Sequence, residues 1–153
     1  MNKTAELDSK FQELFTNMVE IAFEYVDRNS AEVDNIYIFG SMEEDAYYYD
    51  VLYMINNRVV YTNEINDVST HQYNISDARL DKLFDLGKSY LAATSELFKE
   101  HNKEVPTILK MCYSPKTGQF NNDIIYEPQY SNDDERIVSD SFDEWYEELL
   151  NEL

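Results

Sequence analysis

The chain is poor in cysteine, glycine, proline and positive charge, and it has no long apolar run. Its single cysteine, Cys112, allows no intrachain disulfide, which points to a reducing compartment. The three glycines, Gly40, Gly87 and Gly118, stand in no phosphate-cradling pattern, so the familiar nucleotide-binding loops are absent. His71, His101 and Cys112 lack the short paired spacing of zinc ligands. No stretch reaches the roughly 18 consecutive apolar residues of a membrane-spanning helix. The opening residues MNKTAELDSKF hold no apolar run of the signal-peptide kind. A soluble, cytoplasmic protein that does not bind membrane is expected. Lys and Arg number 12 against 31 Asp and Glu, a formal charge of −19. Such a charge disfavours direct binding to nucleic acid or anionic lipid, because both are polyanions.

Aromatic residues are plentiful, with 13 Tyr, 8 Phe and 1 Trp. They separate this acidic chain from disordered acidic sequences, which bury too little apolar surface to fold. A length of 153 residues suits a single domain, 1–153, with its own core. No internal repeat, low-complexity block or linker divides it.

Residues 36–65, IYIFGSMEEDAYYYDVLYMINNRVVYTNEI, read as three short strands. Asn56-Asn57 between the second and third suits a type I′ hairpin turn, because Asn tolerates positive φ. That turn sets Ile55 opposite Arg58, Met54 opposite Val59, Tyr53 opposite Val60 and Leu52 opposite Tyr61. One face then gathers Leu52, Met54, Val59 and Tyr61. The other gathers Tyr47, Tyr49, Val51, Tyr53, Val60 and Thr62. The first face is assigned to the core and the tyrosine-rich face to solvent or a partner.

Apolar residues at three- and four-residue steps predict a helix over 6–28 and another over 77–102. Ser76 is placed as the N-cap of the second. Gly87 within it suits close approach to the sheet. A second hairpin is expected over 105–126, turning at Ser114-Pro115-Lys116-Thr117-Gly118. A terminal helix is expected from Ser141, with Glu144 at capping-box spacing. The order α-β-β-β-α-β-β-α predicts an α+β fold. Its antiparallel sheet has about five strands, with the helices packed on one face.

The sharpest enzymatic pattern is Gly40-Ser41 followed by Asp50-Val51-Leu52. It resembles the nucleotidyltransferase signature, but Leu52 stands where the second metal-binding carboxylate belongs. The run Asn132-Asp133-Asp134-Glu135 lacks the central glycine of an EF-hand loop. Cys112 has no nearby histidine in sequence to activate it. No residue pattern joins a nucleophile, a base and an anion-stabilising group. The chain is therefore read as a non-enzyme with no implied metal or cofactor.

What remains is an interaction surface. Glu43, Glu44, Asp45 and Asp50 lie among Tyr47, Tyr48 and Tyr49 with no basic residue between them. Residues 131–153 hold nine acids against one base, Arg136. Asp133, Asp134, Glu135, Asp140, Asp143 and Glu144 are its candidates. With Glu43, Glu44, Asp45, Tyr47, Tyr49 and Asp50, they form the expected partner-binding set. Aromatics supply anchors, and acidic charge speeds encounter with a basic partner.

An opening helix, the strand Ile36-Tyr37-Ile38-Phe39-Gly40-Ser41, a Tyr/Asp strand and the turn Ile55-Asn56-Asn57-Arg58-Val59-Val60 resemble the YezG-like immunity proteins. The later long helix, the strand Leu109-Lys110-Met111-Cys112-Tyr113 and the end Asp143-Glu144-Trp145-Tyr146 fit the same order. These are small acidic antitoxins of bacterial polymorphic toxin systems. The resemblance implies an antitoxin that binds and neutralises a cognate toxin, expected to be a basic nuclease domain, and does no chemistry itself. Two alternatives stand beside it: a small carboxylate-dependent enzyme, and an acidic adaptor or nucleic-acid mimic. No oligomeric state follows from the residues alone.

Overall fold

The apolar periodicity of the first segment gives one long helix. The computed structural model describes residues 3–153, and α1 spans Lys3–Tyr25. Its buried side carries Leu7, Phe11, Phe15, Met18, Ala22 and Tyr25. The helix ends ahead of Asp27 and Arg28, which take left-handed φ values of 52° and 54° and turn the chain toward the sheet.

The sheet comprises β1 (Val33–Ser41), β2 (Tyr48–Ile55), β3 (Arg58–Tyr61), β4 (Ile108–Ser114) and β5 (Gln119–Ile125). Its spatial order is β3-β2-β1-β4-β5, and every ladder is antiparallel. Asn56 and Asn57 have φ values of 53° and 65°, as a type I′ turn requires. The β2–β3 register is the expected one, with Ile55 opposite Arg58 and Leu52 opposite Tyr61. A one-turn helix α2 (Ile65–Val68) and a polar connection lead to α3 (Asp77–Glu100). Ser76 caps α3 by accepting from the Arg79 N–H. The chain closes with α4 (Val138–Asn151). This helix starts before Ser141, because the Asp140 carboxylate accepts from the Ile137 N–H at 2.9 Å. Ser141 lies within the helix and is buried.

The fold is thus α+β with the expected order of elements. The two long helices share one face of the sheet, where Ile36, Ile38, Tyr49, Val51, Tyr53, Val60, Leu109 and Met111 meet them in one core. The terminal helix lies on the opposite face, which corrects the expectation that the helices share one face. There Phe142, Trp145 and Leu149 pack on Tyr37, Phe39, Leu52, Val59 and Ile108. The reason is in β1, whose run Ile36-Tyr37-Ile38-Phe39 is apolar on both faces and must be covered twice.

The assignment of the tyrosine-rich face to solvent is corrected. Tyr49 and Tyr53 are 3% and 0% exposed and face α1 and α3. Their hydroxyls donate to backbone carbonyls of α1, Tyr49 to Met18 at 2.9 Å and Tyr53 to Ala22 at 2.7 Å. Those bonds offset the loss of water, which a buried hydroxyl otherwise cannot bear. Gly87 makes room for this packing, since a Cβ there would fall 2.1 Å from Tyr49 Cγ. Among the described residues no helix is long and apolar enough to cross a membrane.

Candidate binding surface

The acidic link between β1 and β2 is a single 3-10 turn, Glu43–Asp45. Glu44 and Asp45 hold positive φ, so the turn aims successive side chains in different directions. Glu43 points inward and is 4% exposed. Its carboxylate accepts from three consecutive backbone N–H groups, those of Gln129, Tyr130 at 3.0 Å and Ser131 at 2.7 Å. The Tyr130 hydroxyl donates back to the Glu43 carbonyl at 3.2 Å. Burial pushes the Glu43 carboxyl up, but the three N–H donors outweigh it and hold the group below its ordinary value. Glu43 is therefore a clasp on the loop after β5, not a partner-facing acid as expected.

The other acids of this link divide. Glu44 is exposed. Asp45 is exposed but engaged with α3: Lys99 Nζ lies at 2.8 Å, and the Ser95 and Tyr47 hydroxyls donate to it at 3.4 and 3.3 Å. The Lys99 hydrogen bond lowers its carboxyl below the usual range. Tyr47 is half-buried and packs at the edge of the main core. Tyr49 is inside that core, so it is withdrawn from the expected surface.

Asp50 faces the other way, beside α4. The Tyr48 hydroxyl donates to it at 2.9 Å and the Val51 N–H at 2.8 Å. Burial, aided by the nearby Asp143, pushes its carboxyl up to about 6, against the pull of those two hydrogen bonds. Tyr48 packs against Phe39 and Phe142. Burial and the Asp50 charge push its hydroxyl far above the ordinary tyrosine value. Tyr61 donates to Asp143 at 3.4 Å, and its ring lies tilted against Tyr146 with centroids 4.5 Å apart. Burial and Asp143 raise it to about 12. Asp50, Asp143, Tyr48, Tyr61 and Tyr146 thus form a tyrosine-framed acidic group where α4 meets β2 and β3. The three tyrosines follow from the Asn56-Asn57 register and the α4 periodicity, but the sequence pattern placed Tyr61 on the core face and did not join Tyr48, Tyr61 and Tyr146 to Asp50 and Asp143.

In the C-terminal segment, Asp133, Asp134 and Glu135 are exposed on a loop. The Asp133 carboxylate accepts from the Glu135 N–H at 3.0 Å. Arg136 fastens this loop to α4. It pairs with Glu144 at 2.6 Å and donates to the Gln129 carbonyl at 3.0 Å and the Ser141 hydroxyl at 3.2 Å. Asp140 is spent on the helix cap, and Asp143 stays exposed.

The Glu43 clasp brings two distant acidic segments together. It fixes residues 129–131 beside the 43–45 turn, so that Glu44 lies near Tyr130 and raises the Tyr130 hydroxyl after burial and Glu43 have done so. Asp133, Asp134 and Glu135 follow on the same loop. Glu44 and these three acids, all exposed, thus flank the clasp from its two joined segments as an acidic ridge. Asp45, Tyr49 and Asp140 have structural partners, and Asp50 and Asp143 belong to the α4 group.

A second clasp has no signal in the sequence. Glu32 is 8% exposed and accepts from Asn56 Nδ2 at 2.9 Å and the N–H groups of Thr70 and His71. No local pattern marks it, because its donors lie in other segments.

No three or more His, Cys, Asp or Glu among the described residues are grouped to hold a metal ion. His71 Nε2 meets Asp27 at 3.1 Å, His101 Nδ1 meets the Leu97 carbonyl at 2.9 Å, and Cys112 is half-buried on β4. Gly40 and Ser41 end β1. Leu52, on the same face as Asp50, is fully buried against α4.

Comparison with known proteins returned no match: no protein-family model fits the chain, and no curated protein is significantly similar to it.

Proposed function

We propose that this chain is a non-catalytic binding protein that covers a basic surface of a partner with its acidic ridge. The role is that of an immunity protein. The partner class follows from the resemblance to the YezG-like family: a cognate toxin with a basic domain, commonly a nuclease, neutralised in the cytoplasm. The observation that supports this reading most is the clasp itself. A buried carboxylate holding three N–H groups joins the two segments that carry the exposed Glu44, Asp133, Asp134 and Glu135. A charge of −19 adds long-range attraction for a cation, which raises association rates and fades with salt.

Co-expression with the product of the neighbouring gene tests the reading, through growth rescue and recovery of a stable complex. Reversing charge at Glu44, Asp133, Asp134 and Glu135 should slow association about tenfold or more at low salt and much less at high salt. Failure to rescue and to form a complex would overturn the immunity reading. Unchanged kinetics in the reversed variant would move the interface elsewhere.

One observation favours the enzymatic alternative. Asp50, pushed up to about 6 beside the Tyr48 hydroxyl and Asp143, has the protonation range of a general acid or base. Turnover by purified protein that disappears in Asp50→Asn would favour that reading over the binding protein.

A further inference from the structure

The strand order leaves β5 at one edge of the sheet, hydrogen-bonded to β4 alone. The opposite edge strand, β3, has four residues and runs directly into the turn Thr62–Glu64. β5 has seven residues, Gln119–Ile125, and an unbroken register with β4 from Ile108↔Ile125 to Ser114↔Gln119. Soluble proteins usually guard such an edge with lysine, proline or a bulge. The sequence QFNNDII contains no lysine, arginine or proline, and Asp123 is its one charged residue. Its free backbone groups are ready to pair with another extended chain.

Beside this edge lies an aromatic groove. Phe15, Val19 and Phe23 of α1 line it with Tyr113 and Phe120, around an opening of ≈ 290 Å³. The Phe15 and Phe120 rings are 6.0 Å apart, and Phe23 and Tyr113 are 5.8 Å apart. Side chains on adjacent strands line up across a ladder. A strand added to β5 would therefore set alternate residues beside Phe120 and Ile124, next to the groove.

Charge selects the occupant. Asp123 is exposed on β5, and the strand leads to Glu127 and then to the ridge at Asp133, Asp134 and Glu135. A second copy of this chain carries the same −19 and is repelled, which protects the open edge from self-pairing. We propose that β5 and its groove receive an extended, cationic segment of a partner protein as an added strand. Main-chain bonds would provide affinity, and alternating apolar and basic side chains would provide selectivity. The inference rests on the binding-protein reading and names the edge that the basic partner uses.

The probe is a synthetic peptide as long as β5 that alternates Lys with Val. The control alternates Glu with Val. Backbone amide exchange is followed on the full chain with each. The Lys–Val peptide should slow exchange across residues 119–125 by about tenfold or more, and salt should weaken the effect. The Glu–Val peptide should give no protection. Asp123→Lys, which puts a lysine guard on the edge, should weaken binding about tenfold with unchanged circular dichroism. Absence of protection by Lys–Val, binding without protection of 119–125, or equal protection by both peptides would each overturn the inference. So would concentration-dependent protection of β5 without peptide, which would assign the edge to a second copy. If charge reversal at Asp133, Asp134 and Glu135 leaves both β5 protection and its salt dependence intact, the edge stands and the ridge reading falls. Growth rescue and complex formation without β5 protection would overturn the edge and leave the binding-protein reading standing.

Discussion

Removing the Glu43 carboxylate should unfasten the loop after β5. Three N–H groups converge on it, and the residue is 4% exposed. A hydrogen bond to an ionised group contributes about 1.5–3 kcal/mol. The three are not additive, because they share one charge and burial of that charge opposes them. A net loss of about 2–4 kcal/mol is expected for Glu43→Ala. Glu43→Gln should recover only part of it, since its NH₂ group replaces an acceptor with a donor facing donors. Urea unfolding near neutral pH would measure the loss, and amide exchange would show residues 129–131 opening first. The pH dependence has a definite sign. The folded carboxyl lies below its ordinary value, so its contribution is fully present above the unfolded value of about 4.3. It drains away as pH falls through the folded value, and the gap between wild type and variant should narrow there. A Glu43→Ala protein within about 0.5 kcal/mol of wild type, with its loop amides still protected, would refute the clasp.

Gly87→Ala gains about 1 kcal/mol of helix propensity but sets a methyl carbon 2.1 Å from Tyr49 Cγ. A net loss of about 1–3 kcal/mol is expected from overpacking, and a thermal midpoint equal to or above wild type would show the approach is not tight. Asp50→Asn should make the fold up to about 2 kcal/mol more stable at neutral pH. The wild-type carboxyl is pushed up to about 6 when folded, so the folded state binds more protons than the unfolded one as pH falls from above 6 toward about 4. Wild type gains stability over that window, the variant does not, and a pH-independent difference would contradict the assigned burial.

The local rules were legible and the faces were not. Asn56-Asn57 fixed a hairpin register because few residues accept positive φ twice in succession. Ser76 and the apolar stripes of α1 and α3 were equally local. The tyrosine-rich face of β2 was given to solvent because tyrosine gives a two-sided signal, with a ring that packs and a hydroxyl that needs a partner; both faces are in fact covered. Tyr49 and Tyr53 find that partner in carbonyls of α1, which no pattern in β2 announces. The run Ile36-Tyr37-Ile38-Phe39 is apolar on both faces, but the expectation of helices on one face left no place for α4, which covers the second. Individual acids were the least legible. Asp133, Asp134 and Glu135 lie in an unbroken polar run and are exposed as such a run suggests. Glu43 lies in a similar run yet is buried, because the N–H groups that hold it come from a loop far along the chain.

A charge proposed to attract a basic partner should also strain the fold, so salt should move the two in opposite directions. Lys99, Lys116, Arg79 and Arg136 are already engaged with carboxylates of their own chain. Acids outnumber cations 31 to 12, and a charge of −19 repels itself in the compact state more than in an expanded one. Raising ionic strength from about 0.01 M to 0.1 M shortens the screening length from about 30 Å to 10 Å. That relieves repulsion across the molecule, whereas contacts such as the Glu43 clasp, buried and short-ranged, are scarcely screened. The thermal midpoint should rise over this interval while the association rate with a basic partner falls. A midpoint that falls with salt would mean that attraction within surface ion pairs outweighs the self-repulsion of the acidic surface. An association rate insensitive to salt would detach the acidic ridge from encounter altogether.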